Sequence, residues 1–453
     1  MLKTNHIDAT QGSLVPLIIR YTIPLILSTL IQSLFNAVDI VVLGNMADSQ
    51  AVAALGATTT IIHLVVNTFI GLSSGTKIIL ARQIGARDRD GAERTVHSAL
   101  ITALGIGIVV MAAGLFLTDW FLRVTDCPVA CFDGAALYMR IYMLAAPAVL
   151  LYNFGAAILR ADGDTQRPLY YIVACGLLNV ILNIVLCLIL PQKVAAVAIA
   201  TVASQYLGAF LVIRRLCLKD GIAKLDLSHL RWNTASFLQI MRYGAPLALN
   251  QALYPLANLQ IQSAINAYGV SAVAGSSAAT TVDSFSSAFV GSFGGTVTAF
   301  MGQNLGAKKH DRVRSSFRLC LCMGVAIGII AGVFFYLTGR FWLHFILTDD
   351  LVAVEYAMIK IRAITLFASI SAANTVLSHA IQSLGYPVFS SINSISFVFG
   401  FRMLWMFFVY PSHQNFEWLM SCFTVSWCLM LLCNVTMFSI FYGRFRKGKY
   451  KKL

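Results

Sequence analysis

Charge is what this chain has least of. Asp, Glu, Lys and Arg together make up 11% of its 453 residues, against 58% hydrophobic. A soluble domain carries about 25% charged residues, so most of this surface cannot face water. Acids are the scarcer sign, 19 against 33 bases, which makes an acid inside an apolar run conspicuous. Enzyme signatures are also missing: the chain has no Gly-rich loop ending in Gly-Lys-Ser/Thr and no His-Glu-x-x-His, and no polar stretch houses a nucleotide-hydrolysing domain. The ten cysteines show no metal-ligand spacing, and eight lie in or beside apolar runs, where Cys acts as a small hydrophobe. Cys127 and Cys131 share a polar stretch, and the sequence admits either a local disulfide or two free thiols.

What the chain has in abundance is apolar sequence, with a mean hydropathy of +0.76. Runs long enough to cross ~30 Å of hydrocarbon recur at 16–43, 51–76, 93–117, 137–160, 168–190 and 194–217. A second set occupies 236–267, 272–300, 317–338, 355–384, 388–410 and 417–442. The expectation is an all-α membrane protein of twelve transmembrane helices. Residues 1–217 form an N-lobe, 218–235 a cytoplasmic linker, and 236–453 a C-lobe with a basic tail. On this layout the N-terminus, the even-numbered loops and the tail hold 25 of the 33 Lys and Arg, which places both termini in the cytoplasm. The tail residues Arg444, Arg446, Lys447, Lys449, Lys451 and Lys452 are read as meeting membrane lipids rather than nucleic acid. The first apolar run is too long for a cleavable signal and lacks a small-residue cleavage site. The expected location is the plasma membrane, with multiple passes.

The two halves repeat one another. Arg82-Gln83-Ile84-Gly85-Ala86-Arg87 returns as Gln303-Asn304-Leu305-Gly306-Ala307-Lys308, a shift of 221 residues. Within a residue or two, the same shift pairs Pro24 with Pro246, Gly71/Gly75 with Gly291/Gly295, Arg140 with Arg362, and Gly163 with Gly385. Six segments per half keep the halves parallel, a plan that transport proteins use for alternating access. Both Gly-x-x-x-Gly pairs are read as sites of close helix packing. Each of the two prolines removes a backbone hydrogen bond inside its segment and permits a bend.

A few polar groups stand where an apolar helix has no use for them. Asp39 lies near the outer end of the first segment, and a carboxylate at membrane depth costs several kcal/mol unless protonated, paired or hydrated. Gln32 and Asn36 precede it by seven and three residues and share its helical face. The stripe is read as lining a cavity, with a structural carboxylate at the helix end as the other reading. Asn179 and Asn183 share a face of the fifth segment, as cavity lining or as interhelical glue. Tyr138 and Asn153 in the fourth segment and Thr201 in the sixth add neutral oxygens. With Asp39 they make a ligand set for a hard cation or a shared proton. The second half lacks this constellation: Ile261 or Gln262 answers to Asp39, and Arg402 falls near the register of Asn183, readable as a paired structural cation. Asp283, about 18 Å into the eighth segment at 1.5 Å per residue, is either a second protonatable site or a packing group.

Taken together these features resemble the multidrug and toxic compound extrusion (MATE) family of the polysaccharide-exporter superfamily, over nearly the whole chain. The resemblance rests on Phe35-Asn36-Ala37-Val38-Asp39 with Gly44 and on the Gly-Ala basic loops at Gly85 and Gly306. Its most specific stretch is Ile158-Leu159-Arg160-Ala161-Asp162-Gly163-Asp164-Thr165 with Pro168 soon after, where a loop clamp is weighed against a functional role for Arg160, Asp162 and Asp164. It implies two six-helix lobes forming a V and efflux of organic cations driven by inward H⁺ or Na⁺, with no other cofactor and a monomer as the working unit. Asp39 then matches the family's helix-one acid and a Na⁺ ligand, with Tyr138, Asn179, Asn183 and Thr201 around it. Gln32 contacts substrate, Pro24 is the hinge, and Asn36, Asn153 and Tyr254 line the substrate cavity. Two departures bear on coupling. Asn183 stands where one subgroup often has Asp, and Tyr254 stands where another subgroup carries an acid, so coupling falls on Asp39 with Asp283 as helper.

A lipid or lipid-linked oligosaccharide flippase of the same superfamily is the rival. Several cavity cations would be expected there, whereas the first and seventh segments carry amides and an acid, with Arg20 and Arg242 only at their cytoplasmic ends. A membrane enzyme has no nucleophile–base pair to support it. A major-facilitator transporter would show Gly-x-x-x-Asp-Arg-x-Gly-Arg after the second segment, and this chain does not.

Overall fold

The computed structural model describes residues 6–46, 49–125, 127–347, 350–412 and 414–447, the side chains of residues 36–53 and 345–346 excepted. Among the described residues all regular structure is helical. The first half contains α1 (Leu14–Met46), α2 (Ser49–Ala86), α3 (Arg89–Val124), α4 (Val129–Met143), α5 (Ala146–Ala161), α6 (Gln166–Ile189) and α7 (Lys193–Leu218). The second contains α8 (Thr234–Asn266), α9 (Val270–Gly306), α10 (His310–Ile346), α11 (Leu351–Thr365), α12 (Ala368–Ser383), α13 (Pro387–Ser394), α14 (Phe401–Leu404) and α15 (Phe416–Arg446). Two π-helical turns, Ile395–Gly400 and Trp405–Val409, flank α14. α4 and α5 form one span bent by 47°. Counting that pair, α11 with α12, and the run Pro387–Ser412 as one span each gives the twelve expected. By length and composition alone, eight or nine of the described helices qualify as spans. Those that fall short are α8, α9 and α11 with α12, which carry Asn258, Asp283 and Lys360.

Local signals set the helix ends. Asp88 caps α3 through Gly91 N at 2.9 Å, Asp350 caps α11 through Ala353 N at 2.9 Å, and Asn233 takes Ser236 N at 2.8 Å ahead of α8. The repeat reappears as geometry at the other ends. Arg87 and Lys308, equivalent in the two halves, are the described non-glycine residues with positive φ, both at 56°. Behind each, the next amide reaches back to Gln83 O at 3.0 Å or Asn304 O at 2.9 Å. Gly163 and Gly385 close α5 and α12 in the same left-handed way, with φ of 92° and 100°.

The chain packs as two units. One comprises the residues through Asp8 with Leu27–Ala248, the other Ala9–Ile26 with Leu249 onward. Both changes of unit fall inside helices, two residues after Pro24 in α1 and two after Pro246 in α8. Proline removes an intrahelical bond at each point.

In the first unit, Ile78, Leu80, Val96, Leu150, Phe154 and Ile158 anchor a core shared by α2, α3 and α5. Gly71 and Gly75 admit the start of α8 against α2. A Cβ on Gly75 would stand 2.5 Å from Gly244 N, and one on Gly71 2.6 Å from the Ala248 Cα. In the second unit the start of α1 meets α9 with hydroxyls instead, Thr22 Oγ1 to Thr296 Oγ1 at 2.8 Å. The second Gly-x-x-x-Gly does not pack as the sequence suggests, for a Cβ on Gly291 meets nothing within 4 Å. The close glycine there is Gly294, whose Cβ would reach the His379 and Thr375 side chains at 2.6 and 2.8 Å.

The segment before α1 is tied down residue by residue. In the first unit His6 Nε2 lies 3.0 Å from Asp162 Oδ2, and Ile7 N donates to Gly163 O at 3.4 Å. Lys219 also pairs with Asp162, and Arg167 Nη1 holds Asp164 at 2.6 Å. Asp162 and Asp164 are thus engaged as a loop clamp. The bond to Asp162 raises the His6 pKa. Burial opposes the Asp162 charge, but His6 and the Lys219 ammonium outweigh it and hold that carboxyl below the usual range. In the second unit Ala9 N donates to Gln303 Oε1 at 2.9 Å, and Arg312 donates to the carbonyls of Ala9 and Gly12, both at 2.9 Å.

Candidate functional site

The first unit gathers part of the expected site on α6 and α7. Asn183 Nδ2 donates to Asn179 Oδ1 at 3.2 Å, and Asn179 Nδ2 donates to Thr201 Oγ1 at 3.4 Å. Thr201 in turn donates to Val197 O, one turn earlier in α7, at 3.0 Å. Both asparagines are buried, Asn183 completely. The i, i+4 spacing brings the amides together, and the small residues Ala196, Ala198 and Ala200 of α7 let the helices close around them. Tyr138 of α4 is buried against Cys187, Ala196 and Val197, at the end of the same helix pair, and stacks on Tyr142 at 6.1 Å.

Other expected members stand apart. Asn153 turns back on its own helix, giving its amide to Val149 O at 2.8 Å. Gln32 is exposed on α1. The helix runs on through Asn36 and Asp39, but their side chains lie outside the described residues. Cys127 and Cys131 are free thiols, their sulfurs 3.9 Å apart.

The second unit has a polar centre of its own, with more positive charge than the sequence reading anticipated. Lys360 of α11 is buried and donates to Ser276 O at 3.1 Å and to the hydroxyls of Ser276 and Thr280, both at 2.7 Å. Asp283, one turn beyond Thr280 on α9, lies near enough to feel that ammonium and accepts from Ser287. Arg402 is 1% exposed. Its Nε donates to Ser426 Oγ at 3.3 Å and its Nη1 to Asn258 Oδ1 at 3.4 Å, while the guanidinium stands 4.3 Å over the Phe423 ring. Tyr254 is hydrogen-bonded to Arg402 and interacts electrostatically with Asp283. Among the described residues Arg402 makes no ion pair.

An offset of 222 residues carries Gln32, Asn36 and Tyr138 onto Tyr254, Asn258 and Lys360. The second unit thus repeats the positions of the first-unit set with different chemistry. That offset was the available signal for Lys360, which reading each half separately passes over.

Comparison with known proteins places this architecture. The "Probable multidrug resistance protein YpnP" of Bacillus subtilis is 25% identical over 382 residues, 83% of this chain and 84% of that protein. The fold matches a solved structure described as "Crystal structure of MATE in the straight conformation", with TM-score 0.88, 20% identity and coverage of 97% and 99%. It also matches one described as "in the bent conformation", with TM-score 0.85, 20% identity and the same coverage. The MatE family profile matches residues 24–185 and again 246–406, once in each half. Two profile matches beginning at the two equivalent prolines establish that this chain is a membrane protein of the MatE transporter family.

Proposed function

We propose that the protein is a secondary active antiporter that exports organic, cationic, drug-like compounds in exchange for inward H⁺ or Na⁺ by alternating access. The observation that carries this reading is the buried chain Asn183–Asn179–Thr201, which offers neutral oxygens without a fixed charge of its own. Such oxygens suit a hard cation or a proton once a single carboxylate is supplied, and Asp39 is the acid assigned to that part. The relative named as a multidrug resistance protein supports a drug-like cargo, and no observation favours a lipid cargo. With Asn rather than Asp at 183, the set carries one negative charge. A carboxylate that holds a cation, or releases it to admit a cationic compound, couples the two flows by mutually exclusive binding. α1 changes unit just after Pro24, which makes that proline the place where a bend would move the Asp39 end of the helix.

The test is organic-cation efflux from proteoliposomes with a ΔpH and a Na⁺ gradient imposed separately. Asp39→Asn should abolish gradient-driven efflux while leaving expression and folding near wild type, because the neutral isostere removes a charge that is costly at membrane depth. Efflux by Asp39→Asn at the wild-type rate under both gradients would remove Asp39 from coupling and make Asp283 the leading candidate.

A further inference from the structure

A guanidinium buried at membrane depth is costly and is ordinarily paired with an acid or aimed into a hydrated cavity. Arg402 has no acid partner among the described residues. Its bonds to Ser426 and Asn258, at 3.3 and 3.4 Å, are long, all its partners including the Tyr254 hydroxyl are neutral, and Phe423 covers one face. The remaining nitrogen, Nη2, is buried without a hydrogen-bond partner. Lys360 is otherwise placed, for three oxygens take its ammonium and Asp283 lies beside it. Asp283 acts on Lys360 rather than on Arg402, which keeps its positive charge without an ion-pair partner among the described residues.

From this we propose that Arg402 is an anion-binding subsite, whose guanidinium receives a carboxylate or phosphate oxygen of a transported molecule inside the second unit. A guanidinium presents its N–H groups in a planar fork that matches two oxygens of one such group. The two neighbours on α8, Tyr254 at 42% exposure and the exposed Asn258, form the accessible side of the site. A ligand arriving along that helix displaces the long Asn258 contact and gains both nitrogens of the fork. The π-helical turns on either side of α14 are a type of irregularity that often accompanies functional sites. The subsite stands on the second unit alone and does not depend on Asp39, on the coupling ion or on the cationic-cargo reading. It extends the cargo to zwitterions and organic anions.

The probes are rhodamine B, which carries a free carboxylate, and its ethyl ester, which does not. Binding is followed by fluorescence polarisation on the full chain in phosphatidylcholine nanodiscs. Arg402→Gln should weaken rhodamine B by about tenfold or more, the scale of one charge-assisted hydrogen bond, and change the ester by less than about twofold. Arg402→Lys, which keeps the charge without the fork, should fall between. Benzoate should displace rhodamine B from the wild-type protein and leave the ester bound, a result that needs no variant to fold. Adding phosphatidylglycerol separates the sources of the anion. Competition with rhodamine B in the wild type that is absent in Arg402→Gln identifies a lipid phosphate at the same fork, and absence of competition leaves the cargo as its source. Equal weakening of acid and ester, no weakening of either, or failure of benzoate to compete overturns the proposal.

Discussion

Single side chains in this protein are best judged by what stands within a few ångström of them. Gly75 faces the backbone of Gly244, which cannot yield as a flexible side chain can. Gly75→Ala should therefore lower stability by about 1–3 kcal/mol through overpacking, read as earlier thermal unfolding of the purified protein. Gly291→Ala, with open space at its Cβ, should stay within about 0.5 kcal/mol of wild type. The sequence presents both glycines in the same spacing, and spacing alone does not say which face meets a neighbour. Asn183 was legible for a different reason, since a buried amide on an apolar helix needs a partner and the i, i+4 companion Asn179 supplies one. Asn183→Asp adds a second acid to the proposed cation set and is expected to raise the Na⁺ dependence of efflux, measured with Na⁺ and pH gradients imposed separately.

At the scale of elements, the apolar runs located all twelve spans, and most ends of the described helices lie a few residues beyond the runs, where capping side chains take over. One of the two bends did not show. The break between α4 and α5, at Leu144 and Ala145, precedes Pro147, which cannot continue the bonds of α4, but that between α11 and α12, at Leu366 and Phe367, has neither Gly nor Pro in the gap. The π turns around α14 were equally invisible, because an extra residue in a turn leaves no compositional trace. Their effect can be measured. Deleting Ser396 removes one residue from the first π turn and rotates α14 by about 100°. Arg402 should then leave Ser426 and Asn258, and rhodamine B binding should fall to the Arg402→Gln level with helical content unchanged by circular dichroism. The segment before α1 responds to pH instead. A His whose pKa is raised by docking stabilises the docked state fully below its ordinary value of 6.5, and that contribution is lost as pH rises through the raised value. Asp162, held low, contributes above its usual range and loses that contribution only in strong acid. Proteolysis near His6 should accordingly quicken between about pH 6 and pH 8, and His6→Ala should remove the difference.

For the molecule as a whole, the duplication was legible from the Gly-Ala loops, and the matching left-handed turns at Arg87 and Lys308 give it a shared geometry. Where the units divide was not legible, because Pro24 and Pro246 read as kinks and only long-range packing reveals that each helix changes unit beside its proline. If the basic-loop reading of topology holds, reporters fused at Lys451 and near Arg87 will both be cytoplasmic, and an outward signal from either would reject it. The exchange of helix starts also imposes an order on synthesis. The stretch 9–26 is among the first to leave the ribosome, yet Thr22 bonds to Thr296, about 270 residues later. At about 5–20 residues per second, that stretch waits on the order of 15–55 seconds for its partner to exist. The first unit likewise stays incomplete until residue 248 has been made. A chain cut within 218–235 should therefore yield two fragments that are each degraded when produced alone and accumulate when produced together. During the wait, the start of α1 is a nascent segment whose α9 partner has still to be translated.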